Sequence, residues 1–505
     1  MLAWTLYLCF LGALVQWLIP PYDSRLSRTL ALLTAVAVLI CAVGGSLQLA
    51  GGGPGPWLIA KVPWVSQLGI EWHLAADGIS LTLVVLTGLA AVVGVLFSWN
   101  IVSDTRHFFS LYFLLLGGCF GVFLSFDLFL LFAFYELAIL PKYFLIAIWG
   151  SKNREYAAMK LALYSFAGSA LILAGILATW VVSGATTFDL ITLAKFPFPE
   201  SFQNWAFPLV FIGFAILAGL WPFHTWAPTG HSAAPTAASM LLAGVVMKLG
   251  AYGALRVAIT LFPAGAMAWR DVFGGLAVAG IVYGALVALT QRDIKYLIGY
   301  SSVSHMGFVL LGLASLTTVG LSGAVLQMFS HGVIGGLLFA VAGRMVYDRA
   351  HTRSLDELSR MDLARLAPFA AVTFAIAGFA SMGIPGFSGF VAELKVLLGA
   401  WKVFPTFAVL AGVGIVLGAV YTLKAIQKTF YAVAMEEQPP DSAHIAKMLA
   451  DPEALSISVA ERVGATLLIA ATVLIGLWPG LLLDWIVPAW ESPLFDGLRK
   501  AGGLI

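Results

Sequence analysis

Residues 233–258 read AAPTAASMLLAGVVMKLGAYGALRVA, one long apolar run with a lysine, Lys248, near its middle. A helix needs about 20 mainly apolar residues to cross a bilayer, and this run is long enough. An ionisable group at mid-membrane costs at least about 2.5–3.5 kcal/mol on insertion scales, so Lys248 needs a reason to be there. The rest of the chain has the same character. Of 505 residues only 10% are charged and 61% are hydrophobic, against roughly 25% charged in an average soluble protein. That balance excludes an ordinary soluble enzyme, a disordered chain and a nucleic-acid binder. It predicts an all-α polytopic membrane protein with about 14 spans, from 2–19 to 463–488. The first run lacks a basic start and a small-residue cleavage site, so it reads as a span and not as a cleaved signal peptide.

The three cysteines, Cys9, Cys41 and Cys119, lie far apart inside apolar runs. This spacing argues against disulfides, structural zinc and iron–sulfur ligation. No Gly-rich dinucleotide fingerprint or phosphate loop is present. The chain is therefore expected to carry no cofactor and no metal of its own. Lys and Arg set the orientation. Connections after odd-numbered spans hold Arg25, Arg28, Arg106, Lys152, Arg154, Arg292, Lys295, Arg349, Arg353, Arg360 and Arg365, with Lys447 later. Connections after even-numbered spans hold Lys61, Lys195, Arg270 and Lys402. The odd-numbered connections are expected on the cytoplasmic side, with both termini opposite. The 433–460 stretch, with Glu436, Glu437, Pro439 and Pro440, reads as a polar and mobile connection.

Two spans carry clusters of helix breakers. The first cluster, around 221–235, contains Pro222, His224, Pro228, His231 and Pro235; the second, around 383–389, contains Pro385 and Gly386. Proline removes a backbone donor and glycine loosens the helix. A pair of interrupted spans in corresponding positions points to an inverted-repeat transporter. The plainer alternative is that Pro and Gly are simply commoner in membrane helices. Further ionisable groups lie at membrane depth: Glu136 in the fifth run, Glu393 just beyond Pro385, and His305 and His331 in the tenth and eleventh runs. Lys142 follows Glu136 by six residues, about 240° round a straight helix, and so is not expected as an intrahelical partner. Lys160, at the start of the next span, is a plausible one. Each group alone is compatible with a buried pair or a hydrogen-bonded histidine that fixes packing. Metal binding by His224 and His231 is disfavoured, because no carboxylate or thiolate accompanies them. As a set, carboxylate, lysine and histidine spread through successive helices fit proton handling.

The same residues carry a family resemblance. The stretch from Thr290 to Gly307, TQRDIKYLIGYSSVSHMG, resembles the hallmark of the antiporter-like subunits of respiratory complex I. Pro222 to Trp226, Ala234 to Ala237 and Leu241 to Gly253 are similar to that family's seventh and eighth helices, and Pro385 to Glu393 resembles its broken twelfth helix. The match runs through nearly the whole chain in order. Subunits L and N usually place a lysine on the twelfth helix; Glu393 at that position points to the M branch, equivalent to mitochondrial subunit 4 and the cyanobacterial and chloroplast D chain. The resemblance implies two inverted five-helix repeats. Residues 1–107 would hold helices 1–3, 108–258 the first half, 272–432 the second half, and 433–505 the polar connection with the last helix. It also implies roles: Glu136 as the fifth-helix carboxylate, Lys248 as the central lysine, His305 and His331 as bridging groups, and Glu393 as the terminal exchange group.

One position departs from the family. A lysine normally precedes the first break as the partner of the fifth-helix glutamate, and here that position is Leu217. The acidic residue usual after the next proline is replaced by Thr229-Gly230. Three readings stay open: Lys160 takes over the pairing, Glu136 stays protonated, or the first half-channel does not pump in the usual way. The resemblance implies a divergent proton-translocating subunit of a complex I-type oxidoreductase in an energy-transducing membrane, first a bacterial plasma membrane, otherwise a thylakoid. Quinone, flavin and iron–sulfur clusters are expected on partner subunits. Neighbouring antiporter-like chains, lipid and protons are the expected partners, and nucleic acid is not one. The rival readings are a subunit of a multi-subunit sodium/proton antiporter or membrane-bound hydrogenase, and a structural subunit with a vestigial channel.

Overall fold

The computed structural model describes residues 1–431 and 456–504. Most of the 433–460 connection, with Glu436, Glu437, Pro439, Pro440 and Lys447, lies outside the described residues. The chain begins with α1 (Ala3–Leu18) and α2 (Ser24–Leu49), then a hairpin of β1 (Trp57–Val65) and β2 (Ile70–Ala76). Helices α3 (Gly78–Phe97), α4 (Thr105–Leu124), α5 (Leu128–Leu137), α6 (Ile139–Trp149) and α7 (Arg154–Val182) follow. A short α8 (Leu190–Leu193) leads to α9 (Glu200–Ala218), α10 (Trp226–Ala233), α11 (Thr236–Leu241), α12 (Met247–Gly253), α13 (Pro263–Thr290), α14 (Ile294–Ser315) and α15 (Thr318–Ala340). After the short α16 (Asp348–Ala350), α17 (Leu355–Leu358) and α18 (Leu363–Leu366) come α19 (Pro368–Ser381), α20 (Ser388–Val403) and α21 (Pro405–Phe430). Helices α22 (Val459–Leu477) and α23 (Gly480–Ala489) follow, and a turn at Pro493–Phe495 leads into a last short helix, α24 (Asp496–Lys500).

Among the described residues, 12 helical stretches are long and apolar enough to cross a membrane, and Ala3–Leu18, Pro368–Ser381 and Gly480–Ala489 are shorter apolar helices. Local chemistry sets many of their ends. Asp77, Asp127 and Asp293 each accept a backbone N–H of the helix that follows, satisfying a donor that the helix leaves free. Pro263, Pro368 and Pro405 open helices where their missing N–H costs nothing. Ser458 and Glu461 form a capping box on α22, and the Glu461 carboxylate also takes Arg344 at 2.6 Å and Arg349 at 2.7 Å.

The two breaks fall where Pro and Gly cluster, but they are shorter than expected. Gly219, at φ +85°, ends α9, and 219–225 is turn; Trp226–Ala233 is helical, and the chain opens again only at Ala234-Pro235. The second break spans 382–387, because Ser388 and Gly389 already belong to α20. The hairpin was not expected from the sequence. Its strands pair antiparallel from Trp57↔Ala76 to Val65↔Ile70 with two irregularities, which blur the alternation that marks a regular strand.

Buried glycines bring helices together. A Cβ at Gly399 of α20 would lie 2.3 Å from Gly320 Cα of α15, and one at Gly323 would lie 2.6 Å from Val396 N. Small residues of this kind let membrane helices approach backbone to backbone. The outer faces carry exposed apolar stripes such as Leu33, Ile40 and Leu47 on α2, and Val409, Val416 and Leu423 on α21. That is the surface expected against lipid or a neighbouring chain.

Candidate functional site

The second break borders one end of a polar row. Residues 242–246, just before α12, wind as a π-turn, which is wider than an α-turn. Lys248 follows and is fully buried. Its ammonium donates to the Ala243 carbonyl and lies 2.7 Å from His331 Nδ1 on α15. The His331 ring stacks on His305 of α14 with centroids 5.6 Å apart. His305 Nδ1 is 3.0 Å from Glu393 Oε1 on α20, and its Nε2 is 2.9 Å from Ser381 Oγ on α19. Gln327, one turn before His331, donates to the same Glu393 oxygen at 3.3 Å. Lys248, His331, His305 and Glu393 therefore form one row across α12, α15, α14 and α20. All four are buried, so each charge in the row must be met by its neighbours.

The break makes room for the end of this row. Gly383 has φ +68°, and a Cβ there would lie 2.8 Å from Glu393 Oε2. Gly386, at φ +100°, is covered by α22, since a Cβ at Gly476 would lie 2.3 Å from the Gly386 carbonyl oxygen. Pro385 and Gly386 thus shape the bend and touch no charge of the row.

The first break has a different environment. Arg353 donates to the Ser232 carbonyl at 2.6 Å and Lys295 to the Ala234 carbonyl at 3.2 Å. These cations satisfy backbone oxygens that the interrupted helix leaves free, as irregular backbone at membrane depth requires. Pro228 packs on Gly299 of α14, where a Cβ would lie 2.8 Å from the proline Cα. Pro235 caps α11, and Pro222 lies in the turn. His224 packs edge-on against Tyr283 at 5.2 Å, and His231 stacks on Phe339 at 4.8 Å. The ring nitrogens of both histidines have no hydrogen-bond partner among the described residues. The break therefore does not join the polar row.

Glu136 is separate from the row too. It sits on the last turn of α5, and its Oε1 is buried without a hydrogen bond. The pairing with Lys160 is not formed: the Lys160 ammonium donates to Thr229 Oγ1 at 3.4 Å and lies over the Tyr156 ring. Leu217 is buried in α9, and α12 packs tightly there, since a Cβ at Gly250 would lie 3.0 Å from the Leu217 carbonyl carbon. Lys142 forms no ion pair with Glu136 either; its ammonium donates to Ser165 Oγ on α7 at 3.1 Å. Helices α5 and α6 meet at Ala138, whose backbone stays in the right-handed helical region, and Pro141 follows three residues on.

Two buried polar groups were not singled out from the sequence. Arg256 and Asp77 are both fully buried and joined at 2.6 Å, with Arg256 also bonded to Tyr252 Oη at 3.1 Å. Arg256 stands near the end of its apolar run, where a basic residue ordinarily reaches out to the interface. At the hairpin, the ligand atoms of Glu71, His73 and Asp189 lie within 4.8 Å of one another. The Lys61 ammonium is 2.9 Å from Glu71 and 3.3 Å from Asp189, and so supplies a cation to that cluster. Burial works to raise the Asp189 carboxyl, but the bonds from His73 and Thr192 outweigh it and hold the group well below the usual carboxylate range.

Comparison with known proteins gives this arrangement its context. Residues 125–418 match the family described as NADH:quinone oxidoreductase/Mrp antiporter, TM. The chain is 40% identical to NADH-quinone oxidoreductase subunit M of Pseudomonas aeruginosa, covering 87% of this chain and 89% of that one. It is 38% identical to NAD(P)H-quinone oxidoreductase chain 4 1 of a Picosynechococcus species, covering 93% and 87%. A chain of respiratory complex I from Thermus thermophilus superposes with a TM-score of 0.86, at 29% identity and with all of both chains covered. The chain belongs to the NADH:quinone oxidoreductase/Mrp antiporter transmembrane family, in the group of the subunit M and chain 4 proteins.

Proposed function

We propose that this chain is the proton-translocating, antiporter-like subunit of a complex I-type NAD(P)H– or ferredoxin–quinone oxidoreductase. Electron transfer to quinone takes place on partner subunits, which carry the flavin and iron–sulfur clusters; this chain moves protons. The observation that carries the reading is the Lys248–His331–His305–Glu393 row, with contacts of 2.7 Å and 3.0 Å at its two ends. In such a row each group holds a proton that its neighbour can take, and a change of charge at one end is felt at the other. The two stacked imidazoles are the one link without a direct hydrogen bond. A proton crosses there only when a ring turns or a water bridges the nitrogens, so the link acts as a valve.

The gradient-driven antiporter alternative shares the fold. The 40% identity to an oxidoreductase subunit over nearly nine-tenths of both chains favours the redox-driven machine. The orientation follows the Lys and Arg bias: both termini on the non-cytoplasmic side of a bacterial plasma membrane. The test is made in the assembled complex with Lys248→Ala and Glu393→Gln, recording quinone-linked electron transfer and proton movement together. Both should fall in both variants. Survival of pumping in both would remove the proposal.

A further inference from the structure

Neutral side chains extend the row sideways, into a part of the fold that the relay above does not use. His305, Gln327, Ser330, His331 and Glu393 line one small cavity of about 10 Å³, room for a single water. Two of its groups, His331 Nε2 and Gln327 Oε1, are buried without a hydrogen-bond partner among the described residues. The Lys248 ammonium can only donate, and it lies 2.7 Å from His331 Nδ1. The hydrogen of the neutral ring therefore sits on Nε2 and needs an acceptor. A buried donor left unmet is costly, and one water in the cavity meets it.

Ser330 is also the first of three hydroxyls in line. Its Oγ is 2.8 Å from Ser388 Oγ, and Ser388 Oγ is 2.9 Å from Thr472 Oγ1. All three are fully buried. They come from three elements: α15, the first residue of α20 after the break, and α22. Helix α22 is fastened to the same surroundings at two further points. Gly476, one turn beyond Thr472, packs on the Gly386 carbonyl, and Glu461 binds Arg344 and Arg349 beyond the end of α15.

A hydroxyl has one proton to donate and lone pairs to accept with, so three in line run in one direction or the other. If Ser330 donates to Ser388 and Ser388 to Thr472, the lone pairs of Ser330 are left for the cavity. If the line is reversed, its proton is left instead. The two directions hold the water differently. A lone pair from Ser330 takes one of the water's protons and leaves the water's own lone pair for His331 Nε2–H. A proton from Ser330 competes for that lone pair.

We propose that Thr472 is a positioning residue for the relay: through Ser388 it sets which way the Ser330 hydroxyl meets the water between His331 and Glu393. This rests on the proton-translocating reading above. When His331 is charged, the water takes the Nε2 proton and passes one of its own to the Glu393 carboxylate. His331 ends neutral, Glu393 protonated and the water unchanged. With Ser330 as acceptor the water is turned for this transfer; with Ser330 as donor it is turned away. A shift of α22 against the break parts Thr472 from Ser388 and releases the line, so the last long helix acts on the valve without touching it.

The test uses the assembled complex in proteoliposomes, with each variant compared at equal amounts of assembled enzyme. Thr472→Val keeps nearly the same shape and removes the hydroxyl; Ser388→Ala breaks the same line and stands in if the first variant fails to assemble. Either should lower protons moved per electron severalfold, as should Ser330→Ala. Thr472→Ser keeps the hydroxyl and should keep the yield. Thr472→Val added to Ser330→Ala should cause no further loss, because Thr472 acts through Ser330. Additive losses in that double variant, or equal losses in Thr472→Ser and Thr472→Val, would make Thr472 a packing residue and overturn the inference. Wild-type yield in Thr472→Val or Ser330→Ala, while Lys248→Ala is impaired, overturns it too and leaves the proton-translocating reading standing. Wild-type yield in all of them, Lys248→Ala included, removes the underlying reading as well.

Discussion

At the residue scale, the proposed function calls on a few polar side chains held where charges are expensive. Arg256 and Asp77 show the cost most plainly. The pair is fully buried and joined at 2.6 Å, so removing one partner leaves the other charge uncompensated. Arg256→Met is expected to destabilise the protein by about 3–5 kcal/mol, read as a fall in melting temperature of the detergent-solubilised complex. Adding Asp77→Asn should recover most of that loss, since no bare charge then remains. His331 is subject to a different demand, because its ring must both stack on His305 and carry a proton. His331→Phe keeps an aromatic ring of similar shape and removes both nitrogens. Proton yield per electron should drop sharply while the amount of assembled complex stays near normal; equal loss of assembly would make His331 a packing residue only. Lys248, Glu393 and both histidines were legible in the sequence, because a charge in an apolar run stands out. Gln327 and Ser381 were not, because neutral polar residues are ordinary in membrane helices and only the fold shows what they touch.

At the element scale, the breaks and close helix contacts were only partly legible. Pro and Gly clusters located both interruptions, yet α10 occupies Trp226–Ala233, within the first cluster, because Pro228 sits in its first turn, where a missing N–H does no harm. The hairpin was hidden by its two irregularities and by Pro63 in β1. It is tied to the α7–α9 connection through His73 and Asp189 at 2.6 Å, and this tie has a pH sign. The Asp189 carboxyl is held below its unfolded value of about 3.9, so its stabilising contribution is complete above that pH and is lost as the pH falls further. Protection of the Glu71–Ala75 amides, taken relative to their intrinsic exchange rates, should therefore fall as the pH drops below that value, and Asp189→Asn should remove that dependence. The α15–α20 contact makes a separate prediction. Gly399 has no room for a side chain against Gly320, so Gly399→Val should force the helices apart at a cost of about 1–3 kcal/mol and reduce assembly. Gly412, with nothing within 4 Å of its Cβ position, should accept alanine without effect.

At the scale of the whole molecule, two sets of charges have different tasks. One set lies at membrane depth and includes the row through Lys248; the other decorates the connections, where the Lys and Arg bias is expected to decide which way the chain faces. Composition alone indicated a membrane protein, but it could not separate the two sets; Pro141 pointed to the irregularity near Ala138, because its missing N–H leaves the preceding turn one bond short. The connection charges give the last prediction. Lys152 belongs to the Lys/Arg-rich side and Glu200 to the opposite side, and both are exposed. The native cysteines do not interfere with labelling, as Cys9 and Cys119 are buried within α1 and α4 and Cys41 is half-buried in α2. With Glu200→Cys, a membrane-impermeant maleimide added to intact cells should label the chain. With Lys152→Cys it should label only inverted vesicles or opened cells. The charge bias requires this order, because Lys and Arg near the ends of spans are retained on the cytoplasmic side. The reverse pattern would turn the whole chain over, and would move the exit of the Glu393 end of the row to the other face of the membrane.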